Sequence, residues 1–164
     1  MAYSTVPKCR RDGVIQLRDS GGVNTLDVAY EDGNLTFSVE PKEAQNIFRD
    51  RGVITTVRKG DAAEITGSFT IHMREFTNST AGSVLDFVNK TGAYSGNTST
   101  GSTGTPFVEF YCIDILYTVE GTDFSDDKDH TATISKAVVN ASFTEGDPNA
   151  LTFEFAAYGG VALT

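Results

Sequence analysis

Five carboxylates and a histidine crowd one short stretch of this chain: Glu120, Asp123, Asp126, Asp127, Asp129 and His130. Clustered carboxylates are what a calcium loop needs. The spacing departs from Asp-x-Asp-x-Asp-Gly, however, and no glycine follows Asp129, so the stretch reads as a solvated turn or an inter-subunit contact. Nucleophilic catalysis finds no foothold, because only His72 and His130 could act as bases and no serine or cysteine sits in a Gly-x-Ser-x-Gly elbow. Zinc asks for three or four His or Cys ligands, and Cys9, His72, Cys112 and His130 are widely dispersed. The glycines between positions 92 and 104 lack the flanking strand and helix of a phosphate loop. Cys112, between Tyr111 and Ile113, reads as an inert core thiol, and His72 as a surface or interface residue. Phe107, Tyr111, Tyr117, Phe153 and Phe155 could stack bases or sugars, but alternation along long strands fits a core better. The sequence therefore implies no catalytic residue, no metal and no cofactor.

The charge is unevenly placed. The net charge of −9 over 164 residues divides into nine basic against eight acidic residues up to position 60, and four against fourteen thereafter. Tight nucleic-acid binding needs clustered Lys and Arg, and the basic clusters are short: Lys8 with Arg10 and Arg11, and Arg58 with Lys59. Two cysteines make no disulfide framework. The amino terminus carries no apolar secretion core and no apolar run reaches membrane-spanning length, so a cytoplasmic setting with reduced thiols is expected. The five sequons at Asn34, Asn78, Asn89, Asn97 and Asn140 are then products of a Thr-rich composition.

The elements that would position any site are strands. Residues 1–164 read as a single domain, large enough for its own core, with an irregular arm at 1–12. A strand at 13–19 precedes one at 23–30, and Asp32-Gly33 signals a hairpin back through Leu35, Phe37 and Val39. Residues 41–63 read as an extended, mixed-charge hairpin arm. Ile65–Phe76 alternates Phe69, Ile71 and Met73 with Ser68, Thr70, His72 and Arg74. One helix is expected at about 80–90, capped by Ser79 or Thr80, with Ala81, Val84, Leu85 and Val88 as its apolar stripe and Gly92 just past its end. The Gly/Ser/Thr-rich stretch 91–105 reads as a flexible loop. A strand at 107–120 and long strands at 131–144 and 151–158 complete an antiparallel meander. The fold expected is mostly β: an antiparallel β-sandwich or barrel with one flanking α-helix and long extended arms.

The ordered set of these signals resembles the major tail tube proteins of long-tailed bacteriophages. It is carried by the segment from Asp12 to Gly22, the hairpin from Tyr30 to Ser38, the arm from Arg49 to Asp61, and Phe76–Asn89 with its helix. The turns Val119-Glu-Gly-Thr-Asp123 and Phe143-Thr-Glu-Gly-Asp-Pro-Asn149 belong to it as well. The resemblance implies a non-enzymatic structural virion protein that assembles as homo-hexameric rings, which stack into a tube. It implies contacts with other tail proteins (tape measure, terminator and distal tail), DNA passing through without specific binding, and no membrane. The location it implies is the virion tail, reached through the host cytoplasm. The arm would then carry inter-ring contacts through Arg49, Asp50, Arg51, Arg58, Lys59 and Asp61. Polar strand positions Glu109, Asp114 and Glu154 are lumen candidates. Two other readings fit the same residues: a ring-forming tube protein of a contractile secretion or injection machine, and a cytoplasmic β-sandwich binding module.

Overall fold

The computed structural model describes residues 13–28, 34–39, 43–119 and 129–164. The arm at 1–12, the Asp32-Gly33 turn and the acidic residues Glu120, Asp123, Asp126 and Asp127 lie outside them. Ten strands are described: β1 (Gly13–Arg18), β2 (Thr25–Val28), β3 (Thr36–Phe37), β4 (Gln45–Asp50), β5 (Val53–Lys59), β6 (Ile65–His72), β7 (Ile113–Val119), β8 (His130–Thr144), β9 (Ala150–Ala157) and β10 (Val161–Leu163). One helix, α1 (Val84–Asn89), lies between β6 and β7. The mostly antiparallel fold with a single helix is as the sequence indicates.

Eight strands form one sheet in the order β2-β1-β7-β8-β9-β6-β3, with β10 added beside β8. Leu26 and Asp27 of β2 share a cavity wall with Ile71 and His72 of β6, so this sheet curls back on itself. The curl follows from a bend in β8. Its first half pairs with β7 and β10, its second half with β9. Between them β8 carries one extra residue relative to β7, and Lys136 stands there in the left-handed region (φ 58°). Its N–H donates to Asp114 Oδ1 at 3.0 Å. A β-bulge of this kind kinks a strand and raises its twist.

Inside the curl, Ile15, Leu17, Ile113, Ile115 and Ile134 of one half meet Phe69, Phe153 and Phe155 of the other, and Phe87 of α1 packs into the same core. Phe69 stacks on Phe153 with ring centroids 5.1 Å apart. Gly67 is required where it stands, because a Cβ there would fall on the Thr36 carbonyl oxygen and the Phe155 ring. The aromatic ring covers the glycine and completes the pleat.

Four local expectations need correction. β2 and β3 are not partners: β2 pairs with β1 and β3 with β6, at opposite ends of the sheet order. The strand expected over 107–120 begins only at Ile113. The preceding backbone is hydrogen-bonded by the loop instead, with Cys112 N–H donating to Ser99 Oγ at 2.9 Å and Val108 N–H to the Gly101 carbonyl. The helix starts at Val84, capped by Ser83 rather than Ser79 or Thr80, because Asn78 Oδ1 ties Thr80 and Ala81 into a turn and Gly82 adopts a positive φ. Finally, the Gly/Ser/Thr loop folds into two 3-10 turns and buries Asn97, Thr100 and Gly101, with side-chain and backbone hydrogen bonds in place of apolar packing.

Candidate assembly surfaces

Three surfaces of the described residues could do something beyond folding. The first is the ribbon β4–β5, a separate two-stranded sheet whose residues are all exposed. Its turn at Arg51-Gly52 has both residues at positive φ (45° and 87°), as a two-residue primed turn requires. A bulge near Phe48 shifts the register, so Ile47 faces Val57 while Ile54 faces Arg49 and Val53 faces Asp50. Five apolar side chains, Ile47, Phe48, Val53, Ile54 and Val57, are between 46% and 69% exposed. Two strands alone are marginal in water, and apolar groups spread over both faces want covering. Of the arm residues singled out in the sequence, Arg49, Asp50, Arg51, Arg58 and Lys59 share this ribbon. Asp61 stands at its base, where its carbonyl accepts the Ala44 N–H. Lys59 also pairs with Glu43 at 3.2 Å.

The second surface is the far half of β8. From Val138 to Thr144 it pairs with β9, and among the described residues no strand lies on its other side. That edge, Val-Val-Asn-Ala-Ser-Phe-Thr, contains neither charge nor proline.

The third is the outward face of β8, β9, β6 and β3. Asn140 lies beside Glu154, Glu154 beside Ser68, and Ser68 beside Thr36; the next row runs Ser142, Thr152, Thr70. Thr70 and Thr152 hydroxyls are 3.0 Å apart, and those of Thr36 and Ser68 3.3 Å. With the hydroxyls on this face stand one amide (Asn140), one carboxylate (Glu154), His72 at the end of β6 and the small apolar Val138, Ala150 and Ala156, and from Val138 onward these strands place no Lys or Arg there. Of the three lumen candidates, only Glu154 is here. Glu109 is exposed in the irregular stretch before β7, and Asp114 is half-buried and holds the Lys136 backbone.

Lys136 stands at the β8 bulge, beside Asp114. Its ammonium donates to the carbonyls of Thr103 (2.9 Å) and Pro106 (2.7 Å), pinning the loop beside the bulge. Cys112 is fully buried, its thiol pushed up by burial, which matches the inert role expected. No group of His, Cys, Asp or Glu among the described residues could hold a metal ion. No helix among them is long and apolar enough to cross a membrane.

Sequence reading missed Asp86. Almost wholly buried, its carboxylate accepts from Thr91 Oγ1 (2.7 Å), Asn78 N (2.7 Å), Thr77 Oγ1 (2.9 Å) and Ser83 Oγ (3.2 Å). Burial pushes its pKa up, but the four hydrogen bonds, Thr91 foremost, outweigh it and hold the carboxyl below its ordinary value. The pattern Ser83-x-x-Asp86 was the available signal. Asp19, also buried, ties the end of β1 to the loop through Thr98 N–H at 3.3 Å.

No protein-family model and no curated protein matches the chain. Its fold does match solved structures over full length. A chain of the anti-feeding prophage baseplate aligns at TM-score 0.53 and 13% identity, covering 100% of this chain and 97% of that one. A chain of the sheath–tube complex of an extracellular contractile injection system, PVC, aligns at 0.59 and 12%, covering 99% of both. A chain of the anti-feeding prophage tube-terminating cap aligns at 0.59 and 10%, covering 100% and 95%. At such identities the likeness establishes a shared fold, one used in phage-like multi-subunit injection assemblies.

Proposed function

We propose that this chain is a non-enzymatic structural subunit of a phage-tail-like tube, in which copies join into rings and rings stack. The observation that carries the reading is the β8 edge from Val138 to Thr144. A long, uncharged edge strand is a template for another strand, and proteins that keep one exposed use it. In the ring it meets the β3–β6 edge of a neighbouring copy, so that β8, β9, β6 and β3 of each subunit contribute to one closed inner barrel without free edges. The hydroxyl-covered face, with Glu154 as its carboxylate, then lines the passage. A polyanion moving along it meets no Lys or Arg from these strands to hold its phosphates. Six copies per ring, tail proteins at either end and passage of DNA are the form the family resemblance gives this assembly. The full-length match to chains of contractile injection systems favours that setting over the tail of a long-tailed phage.

The test is assembly by the purified chain. Light scattering and negative-stain microscopy across a concentration series should show six-fold rings or tubes. Asn140→Lys with Ser142→Lys, which sets like charges around the closed barrel, should abolish them while leaving the monomer's melting curve intact. A wild-type chain that stays strictly monomeric at the highest concentration overturns the reading in favour of a β-sandwich binding module.

A further inference from the structure

We infer that residues 107–112 are a rival claimant to the bare β8 edge, and that Lys136 is the latch that holds them off it so that another copy can pair there. The use of the edge rests on the tube reading; the latch adds what keeps it open. The antiparallel register of β7 on β8 brings Ile113 beside Ala137. Continued residue by residue, it sets Tyr111 beside Val139, Glu109 beside Ala141 and Phe107 beside Phe143, along the stretch of β8 that pairs only with β9. Pro106, with no N–H to give, ends the run opposite Thr144. The backbone is ready for this pairing. Val108 N–H donates to the Gly101 carbonyl, the Phe110 carbonyl accepts from Ser99 Oγ, and the Cys112 N–H and carbonyl bond Ser99 Oγ and Thr100 N–H. These are alternate residues, the pattern of a strand bonded along one side. The backbone groups of Phe107, Glu109 and Tyr111 have no hydrogen-bond partner among the described residues.

Lys136 decides between the two arrangements. Its ammonium donates to the Thr103 and Pro106 carbonyls, so the far end of the segment is tied to the bulge. In the continued register Pro106 stands beside Thr144 instead, eight residues along β8 and about 25 Å from the bulge. No lysine side chain spans that distance, so latching and pairing exclude each other. The lysine is also held where side chains are rarely found. Of the three described non-glycine residues at positive φ, Arg51 makes the ribbon turn and Lys90 closes α1, whereas Lys136 lies within a strand. Strain of this kind is kept where the geometry is put to use. Released, the segment has reason to pair. Phe107 and Phe110 are 63% and 70% exposed, and Phe143 on the open edge 46%. Pairing covers Phe107 with Phe143 across the strands. An edge strand is a template for any matching segment, and the nearest belongs to the same chain.

Lys136→Gly tests the latch, because glycine suits the left-handed backbone while the ammonium is lost. At concentrations below assembly, hydrogen exchange of the Val138–Thr144 amides not bonded to β9 should slow at least tenfold relative to wild type, as residues 107–111 pair with them. A merely loosened edge exchanges faster, not slower. Lys136→Arg keeps a donor and should exchange as wild type does. The second readout places Glu109→Cys with Ala141→Cys in a Cys9→Ser chain. Under mild oxidation its Lys136→Gly form should cross-link within one chain at least tenfold faster than its Lys136 form. The cross-linked chain should build no tube until it is reduced. Unchanged or faster exchange in Lys136→Gly, or no cross-link, overturns the latch and leaves the tube reading standing. Slowed exchange and cross-linking in a chain whose wild type never assembles uphold the latch and overturn the tube reading alone.

Discussion

Asp86 offers the sharpest test of how the sequence holds this fold. Its carboxylate gathers one half-buried backbone N–H and three hydroxyls, those of Thr77, Ser83 and Thr91. Asp86→Ala removes that acceptor. Ser83 keeps the Phe76 carbonyl as a partner, which leaves the Asn78 N–H and the Thr77 and Thr91 hydroxyls without theirs. The hydroxyls of Thr77 and Thr91 sit on exposed residues and can turn to water, so only the Asn78 N–H carries a penalty of about 1–3 kcal/mol, and that is the loss expected. Asp86→Asn preserves shape but turns an amide donor toward donors, and should cost about 2 kcal/mol. The pH dependence separates charge from shape. The folded pKa is depressed, so the unfolded chain binds more protons as the carboxyl titrates. The Asp86 contribution is complete above the unfolded value of about 3.9 and lost as pH falls through the lower folded value. Urea unfolding at neutral pH and across the acid range measures both variants against wild type. The gap between wild type and Asp86→Asn should narrow on acidification. A gap that stays constant through that window, or an Asp86→Ala loss below about 1 kcal/mol, refutes the carboxylate-hub account.

Two further outcomes follow from packing. Gly67→Val drives a branched side chain into the Thr36 carbonyl and the Phe155 ring; it should lower stability by about 1–3 kcal/mol, seen as a lower thermal midpoint. Cys112, fully buried and with its thiol pushed up by burial, should react with iodoacetamide in a Cys9→Ser chain only as fast as the protein unfolds, and rapid labelling of the folded chain would contradict that placement.

Much of the architecture was readable where one side-chain period ran uninterrupted. Phe69 and Ile71 on β6, and Leu151, Phe153 and Phe155 on β9, alternate with polar residues and take the inward face. The β4–β5 hairpin falls within residues 41–63, but its five exposed apolar side chains, interleaved with charges of both signs, gave no period that marks it as a ribbon separate from the main sheet. Pairing was less legible. Asp32-Gly33 is a hairpin signal, yet β2 and β3 pair with β1 and β6, because a turn motif reports on local geometry and says nothing about longer strands competing for the same edges. Phe107 and Phe110 look like strand residues but stand exposed, since Lys136 and Ser99 claim the backbone around them. The β8 bulge that curls the sheet had no signature at Lys136, where a left-handed conformation is unexpected for a lysine. Glu109 is set apart from Glu154 because the backbone before Ile113 is held by the loop, and Asp114 because its carboxylate is taken by the Lys136 N–H at the bulge.

The central claim, that copies of this chain close a barrel through the β8 edge around a hydroxyl-lined passage, is tested most directly by a cryo-EM reconstruction of the assembled protein. The account predicts Val138–Thr144 hydrogen-bonded to a strand of the neighbouring subunit, with Glu154, Asn140 and Ser68 on the inner wall. A reconstruction with that edge bare to solvent, or with an inner surface of net positive potential, would contradict it.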